Sequence, residues 1–190
     1  MPVMNACISL SLATALLMAG PAQPQPLHDP DTGLRLASYR APVPGDVPGG
    51  RTIGLAELQD RQTGDALLID VMAAPEHLLR EDGTWVLAAK HDTIPGAVWL
   101  PEVGRGKLDA RIAAYLENAL AHCDRDRPIV VFCRSDCWMS WNAVQHIAGR
   151  GFTNIAWYPG GTDEWHDFGM PLQDIQPLPL SGTLCDERRG

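Results

Sequence analysis

Two cysteines, Cys133 and Cys137, lie four residues apart between an apolar run at 128–132 and a stretch with helical spacing. A residue in this position follows the carboxyl end of a predicted strand, where open α/β sheets bind ligands. Backbone N–H groups of a tight turn and of a helix N-terminus stabilise a thiolate or a persulfide placed there. Cys133 is therefore a candidate nucleophile. The alternative is a cysteine that only packs beneath the loop.

The cysteine spacing also indicates which disulfides are available. Residues four apart on a helical turn come within about 6 Å of each other, inside disulfide range, so Cys133 and Cys137 are the local candidate pair. Cys7 leaves the mature chain if the N-terminus is a cleaved leader, and four thiols then allow three pairings. Cys123 with Cys185 would be the structural remainder, although the spacing does not decide between the pairings.

The N-terminus has the pattern of an export signal. Residues 6–20 are apolar and uncharged, and Gly20 and Ala22 supply small residues at the usual cleavage positions. The run is too short to cross a bilayer comfortably, so residues 1–22 are predicted to be a signal peptide cleaved after Ala22. Residues 1–5 contain no Lys or Arg, which leaves an uncleaved anchor or a misassigned start as the alternative.

Composition limits the class of protein and of partner. A chain of 190 residues with 45% hydrophobic and 20% charged side chains suits one domain with a sizeable core, which excludes wholesale disorder. The net charge is -8, and Lys90 and Lys107 are the two lysines. Nucleic acid is excluded as a partner because its phosphates require a basic surface. No integral membrane span is expected after signal cleavage.

Strand and helix patterns alternate along the mature chain, which indicates an α/β fold with a parallel sheet. Before them, the Pro- and Gly-rich residues 23–50 predict an extended N-terminal arm. Residues 51–175 form the predicted domain, and 176–190 form a C-terminal tail. Predicted strands cover 66–72, 97–100, 128–132 and 154–158, and predicted helices cover 54–62, 108–122 and 140–149.

Short motifs in this order resemble the rhodanese superfamily. The resemblance implies a five-stranded, mainly parallel sheet flanked by helices, with Cys133 as the sulfur-carrying residue that opens a six-residue loop. We call residues Cys133–Trp138 the cysteine loop. The matching segments are Leu68–Val71, Ile94–Ala97, Leu100–Pro101, Val131–Ser135, Gly151–Ile155, Gly160–Gly161 with Trp165, and Gly169–Leu172.

The cysteine loop departs from the rhodanese pattern at two positions, although Arg134 and Ser135 fit the matching segment. Asp136 stands where sulfurtransferases usually have Gly, and Trp138 stands where an Arg or Lys would hold thiosulfate. We therefore expect poor turnover of thiosulfate, because the loop has gained a carboxylate and lost a cation. Arg134 would supply the remaining positive charge. A cysteine phosphatase would need Arg in place of Met139, and a thioredoxin pair would need Cys in place of Asp136.

A narrower resemblance fits these departures. The sequence is similar to the PQQ-dependent catabolism-associated CXXCW motif family, although three residues separate the cysteines here instead of two. That family implies an exported, periplasmic bacterial protein linked to PQQ-dependent alcohol oxidation. The association points to a pathway and not to a reaction, so it gives no reason to call the chain a PQQ binder, and no cofactor is expected. The segments that carry the resemblance are Tyr39–Pro44, Cys137–Ala143, Trp157–Pro159, Gly161–Asp163 and Trp165.

Other polar and aromatic residues have less specific interpretations. Asp70, at a strand end, either orients loop N–H groups near Cys133 or caps a helix. Trp138 and Trp141 form either a substrate or partner surface or part of the core. The six histidines are scattered, and no metal site is expected because structural zinc needs four organised ligands.

Two functions remain open. In the first, Cys133 attacks a disulfide or a sulfane sulfur of a small sulfur or thiol substrate, and Cys137 resolves the intermediate. In the second, the domain is a non-catalytic docking module for a quinoprotein dehydrogenase or its cytochrome partner, with the cysteines locked as a disulfide. Resistance of the Cys133–Cys137 bond to mild reductant would favour the module, and a labile bond would favour the enzyme.

The leader pattern makes a direct prediction about the mature protein. N-terminal sequencing of periplasmic material is expected to begin near Gln23, because cleavage after Ala22 removes the apolar run. Recovery of the intact chain from Met1 in the cytoplasm would contradict it.

Overall fold

The chain, seen in a computed structural model that describes residues 26–185, has a five-stranded parallel sheet with helices on both faces. Its helices are α1 (Leu55–Gln62), α2 (Ala110–Leu120), α3 (Trp138–Ala148) and α4 (Gly161–Asp167). Its strands are β1 (Arg51–Thr52), β2 (Leu67–Asp70), β3 (Leu78–Leu79), β4 (Trp85–Val86), β5 (His91–Thr93), β6 (Val98–Trp99), β7 (Ile129–Phe132), β8 (Ile155–Tyr158) and β9 (Gln173–Ile175).

The sheet is built around β7, with the strand order β1-β8-β7-β2-β6. All four β7 residues are buried, as expected for a parallel strand covered on both faces. Ile129 and Val131 point into the core beneath α2 and α3, whereas Val130 and Phe132 point into the core beneath α1 and α4. The predicted fold class is therefore confirmed, and β7 delivers Cys133 at the carboxyl edge of the sheet.

The predicted elements with long apolar patterns are present, with bounds shifted by a few residues. α2 begins after Asp109, whose carboxylate accepts hydrogen bonds from Arg111 N and Ile112 N. α3 begins at Trp138, two residues before the predicted start, so Trp138 lies in its first turn. The sequence patterns did not predict α4, β1, the antiparallel pair β3–β4 or the antiparallel pair β5–β9.

The predicted arm is fixed to the domain. Arg35 N donates to Asn142 Oδ1 on α3, and Asn142 Nδ2 donates back to Arg35 O. Further along, the Trp141 indole N–H donates to Asp46 O. The described part of the arm is thus held against α3, while the predicted signal peptide and residues 186–190 of the predicted tail lie outside the described residues.

Asp70 is a buried carboxylate that ties β2 to β5. Its oxygens accept hydrogen bonds from Thr93 Oγ1 at 2.6 Å and Met72 N at 2.9 Å, and His91 Nε2 lies 2.7 Å away. Asp70 is in register with Phe132, so its side chain lies on the opposite face of the sheet from Cys133. The pleat therefore directs Asp70 to β5 and away from the amides of the cysteine loop, which does not support the suggested role near Cys133.

The Asp70 network predicts a stability change. Thr93→Val keeps the side-chain shape but removes a hydrogen bond to a buried carboxylate, so the free energy of unfolding should fall by about 1.5–3 kcal/mol in urea titration. Thr153→Val is the matched control, because that hydroxyl is exposed and reaches Arg125 O at 3.3 Å. Its effect should stay within about 0.5 kcal/mol. Equal effects of the two variants would contradict a stabilising role for the network.

Candidate thiol site

The two cysteines of the predicted site lie side by side at the end of β7. Cys133 directly follows the strand, and Cys137 is the N-cap residue of α3. Their sulfur atoms are at disulfide-bonding distance, with the Cα atoms 6.3 Å apart. Both residues are buried, with 1% of Cys133 and 7% of Cys137 exposed. The sequence-predicted pair is thus brought together, beneath the surface of the domain.

One side of the cysteine loop is held by the start of α4. Thr162 N donates to Cys133 O at 3.0 Å, and Ser135 Oγ donates to Gly160 O at 2.7 Å. Arg134 and Gly161 form an antiparallel β-bridge between the two segments. Gly161 has φ +57°, and a Cβ atom on it would lie 2.5 Å from Cys133 O. Only glycine allows this close approach without displacing the loop.

The arm holds the other side of the loop. Arg40 and Cys137 form an antiparallel β-bridge. Its two hydrogen bonds run from Trp138 N to Tyr39 O at 2.9 Å and from Ala41 N to Asp136 O at 3.0 Å. The N–H of Trp138, at the start of α3, is therefore paired with the arm and is not free to face an anion at Cys133.

Asp136 occupies the exposed corner of the loop, between the two cysteines. Its backbone has φ +53°, in the left-handed region that glycine adopts at no cost and that Asp tolerates better than most residues. This conformation gives a physical reason for the glycine that sulfurtransferases usually have here. The residue adds a solvent-facing carboxylate to the loop.

The positive charge near the loop is shared with an acid. Arg134 Nε lies 3.5 Å from Asp163 Oδ2, and Arg40 of the arm donates to the same oxygen at 3.4 Å. Both ion pairs are partly exposed, so solvent screens them. Asp163 and the exposed Asp136 together balance the charges of Arg134 and Arg40, so Arg134 is not an uncompensated cation beside Cys133. The sequence indicates no role for Arg40 or Asp163, because nothing in the local residue pattern shows that their side chains meet.

Trp138 belongs to the junction between the arm and α3. Its indole N–H donates to Pro42 O at 3.1 Å. Its ring packs against the rings of His28 and Trp141 at 5.2 and 5.1 Å, and the Arg35 guanidinium lies 5.0 Å from its centroid. The ring is therefore a packing contact, and 8% of the residue is exposed.

Tyr158, at the end of β8, is buried near this edge of the sheet. Burial raises the pKa of its phenol far above the ordinary value, and the nearby Glu164 carboxylate acts in the same direction. The phenol therefore stays protonated at neutral pH and does not serve as a base for either thiol.

A second cysteine pair lies away from the loop. Cys123 and Cys185 are at disulfide-bonding distance, with Cα atoms 5.2 Å apart, as the remaining predicted pair. Leu184 N donates to Ala119 O beside them, so the chain after β9 is fastened to the end of α2. Within residues 26–185, no group of three or more His, Cys, Asp or Glu side chains could hold a metal ion. No helix in that range is long and apolar enough to cross a membrane.

Comparison with known proteins gives a family match and several structural similarities. Residues 55–168 match the family of the rhodanese-like domain. Thiosulfate sulfurtransferase from Pseudomonas aeruginosa is 19% identical, with 67% of this chain and 21% of that chain covered and a TM-score of 0.45. The rhodanese-like domain of an Anabaena sp. protein is 18% identical, with coverages of 65% and 79% and a TM-score of 0.46.

A third similar structure is the polysulfide-sulfur transferase homodimer from Wolinella succinogenes. It is 19% identical, with 67% of this chain and 81% of that chain covered and a TM-score of 0.43. No curated protein matches the sequence.

The close approach at Gly161 predicts a destabilising substitution. Gly161→Ala should lower the free energy of unfolding by about 2–4 kcal/mol, because it combines a left-handed backbone with a steric overlap at Cys133 O. Gly64→Ala is the control, since the nearest atom to its added Cβ lies at 3.5 Å. Urea titration of both variants makes the measurement. A Gly161→Ala protein as stable as the control would contradict the tight contact.

Proposed function

The chain belongs to the rhodanese-like domain family, and on that premise we propose that it is a thiol-active member whose Cys133 and Cys137 cycle between a dithiol and a disulfide. The observation that supports this most directly is their juxtaposition at the carboxyl end of β7. Two thiols at bonding distance allow a second step, resolution of an adduct, that a lone cysteine cannot perform.

With an external disulfide, the proposed reaction proceeds in two exchanges. The Cys133 thiolate attacks one sulfur of the substrate, the substrate S–S bond breaks, and one thiolate leaves. The Cys137 thiolate then attacks Cys133 Sγ in the mixed disulfide and expels the second thiolate. The substrate gains two electrons and becomes two thiols, and the cysteine pair becomes a disulfide.

A sulfane sulfur substrate would follow the same course. Cys133 would take the sulfur atom as a persulfide while the rest of the substrate leaves, and Cys137 would displace that sulfur as hydrosulfide. Thiosulfate itself is a poor fit. Asp136 adds negative charge, Arg134 shares Asp163 with Arg40, and the Trp138 N–H is bonded to the arm.

We further propose the finer assignment made by resemblance, a periplasmic protein of the CXXCW motif family linked to PQQ-dependent alcohol catabolism. The support is the uncharged apolar segment at 6–20 and the motifs around Tyr39–Pro44 and Cys137–Ala143. A quinoprotein dehydrogenase or its cytochrome is the proposed partner. An oxidising periplasm suits a protein with two cysteine pairs.

A second candidate function has a specific observation in its favour. Both cysteines are almost fully buried and the arm is bonded across the loop, which suits a docking module with a permanently closed disulfide. The two functions differ in whether Cys133 reacts once the pair is reduced.

Variants that keep only one of the two loop cysteines, as a free thiol, provide the test. Cys137→Ser should accumulate a mixed disulfide on Cys133 when treated with 2-hydroxyethyl disulfide, because the resolving thiol is gone. Cys133→Ser should form no adduct in the same time. Intact-mass measurement over the reaction gives both rates.

Both reactions are run with the Cys123–Cys185 disulfide left closed. The control is the wild-type chain in which only the Cys133–Cys137 bond has been reduced. It should pass through a transient adduct to the closed Cys133–Cys137 disulfide. Faster reaction at Cys137 than at Cys133, or reaction at neither site faster than free cysteine, would reject the enzyme and favour the docking module.

A further inference from the structure

The arm segment 35–46 crosses the cysteine loop and is fastened to it mainly by hydrogen bonds of its main chain. We propose that this segment is a movable strap, and that its opening admits substrates to the Cys133–Cys137 pair. The inference rests on the proposed function, because a gate has a purpose only where the sulfur atoms react.

The closed site cannot accept a reactant as it stands. A thiolate attacks a disulfide through a mixed-disulfide intermediate, so the attacked sulfur must be accessible. Only 1% of Cys133 and 7% of Cys137 is exposed. Tyr39 and Val43 of the strap pack against the core that contains both cysteines. Some part of the cover must move before any sulfur atom reacts.

The strap is the part of that cover whose movement disturbs the least structure. The opposite side of the loop is bonded to the start of α4, which follows the fully buried strand β8. The strap, by contrast, precedes β1 and adds no strand to the five-stranded sheet. Residues 36–46 of the strap are exposed or half-buried, and segments of this kind open at lower free energy than buried core strands.

The polar contacts that close the strap can be identified one by one. At the loop they are Trp138 N to Tyr39 O, Ala41 N to Asp136 O and the Trp138 indole to Pro42 O. Beyond the loop, the Trp141 indole donates to Asp46 O, Thr52 Oγ1 donates to Gly45 O, and Gly106 N donates to Tyr39 Oη. Arg40 also pairs with Asp163. At the other end, the Arg35 backbone is paired with Asn142.

Ala41→Pro in the full chain removes one of these bonds and leaves the cysteines untouched. Proline has no N–H to donate to Asp136 O. It also suits the site, because Arg40 before it is extended in the β-bridge and a residue that precedes proline favours that conformation. Ala41→Ser is the matched control, since serine keeps the N–H at similar size.

The access probe is dithiothreitol acting on the oxidised protein. Its thiolate attacks Cys137 Sγ and Cys133 leaves as a thiolate; the second dithiothreitol thiol then displaces Cys137 and closes the oxidised ring. Timed alkylation and peptide mass mapping report the Cys133–Cys137 and Cys123–Cys185 bonds separately. A protein isolated with the first pair already reduced is probed instead by the rate of alkylation with iodoacetamide.

Loss of the Ala41 hydrogen bond should speed reduction of Cys133–Cys137 by about three- to tenfold. Ala41→Ser should behave as wild type, and Cys123–Cys185 should keep its wild-type rate in all three proteins. The strap proposal is contradicted if Ala41→Pro leaves the rate of Cys133–Cys137 reduction unchanged. It is also contradicted if the substitution speeds reduction of both disulfides equally, because that indicates global unfolding.

A measurement on the unaltered protein keeps the proposal testable if Ala41→Pro fails to fold. The amide hydrogens of Ala41 and Trp138 should exchange with solvent at one common rate, and at least tenfold faster than those in the middle of α3. If these two amides exchange only as slowly as the amides in the middle of α3, the strap proposal is contradicted. Adduct formation on Cys133 in the Cys137→Ser variant tests the proposed function separately. Failure of the strap proposal can therefore be distinguished from failure of the proposed function.

Discussion

The geometry of the site depends on main-chain hydrogen bonds that hold the cysteine loop from two sides. Thr162 fixes the carbonyl of Cys133, and Tyr39 fixes the N–H of Trp138. The two partners come from segments more than one hundred residues apart in sequence, and the loop between them has no regular secondary structure of its own. Both cysteines are buried within the loop that is held in this way from two sides.

Side-chain periodicity accounts for what could be predicted. The apolar runs identified β2, β7 and β8, and the amphipathic pattern identified α2, so the fold class and the position of Cys133 followed from the sequence. The short pairs β3–β4 and β5–β9 have two or three residues per strand, too few to show alternation. The contacts of the arm with the cysteine loop could not be predicted, because almost any residue type can make a main-chain hydrogen bond. Asp70 shows the same limit, since its partners depend on strand register.

The charges around the cysteine loop differ from those of a site that binds a small dianion, which would have an excess of positive charge. Arg134 and Arg40 meet a single carboxylate on Asp163, and Asp136 places another in solvent. Balanced charges of this kind neither attract nor repel an anion strongly at physiological ionic strength. A ligand at the loop would therefore be selected by its shape and by main-chain hydrogen bonds more than by its charge. In this structure the arm occupies those main-chain hydrogen bonds.

The two cysteine pairs differ most in the length of chain that each one encloses. Cys123 and Cys185 are 62 residues apart. Closing a loop of that size lowers the entropy of the unfolded chain and so stabilises the folded state by about 4 kcal/mol at 25 °C. Cys133 and Cys137 are four residues apart, for which the same relation gives about 2 kcal/mol. Opening the short loop thus weakens the domain much less than opening the long one. The domain can therefore stay folded while the Cys133–Cys137 bond opens and closes, as long as the Cys123–Cys185 disulfide stays closed.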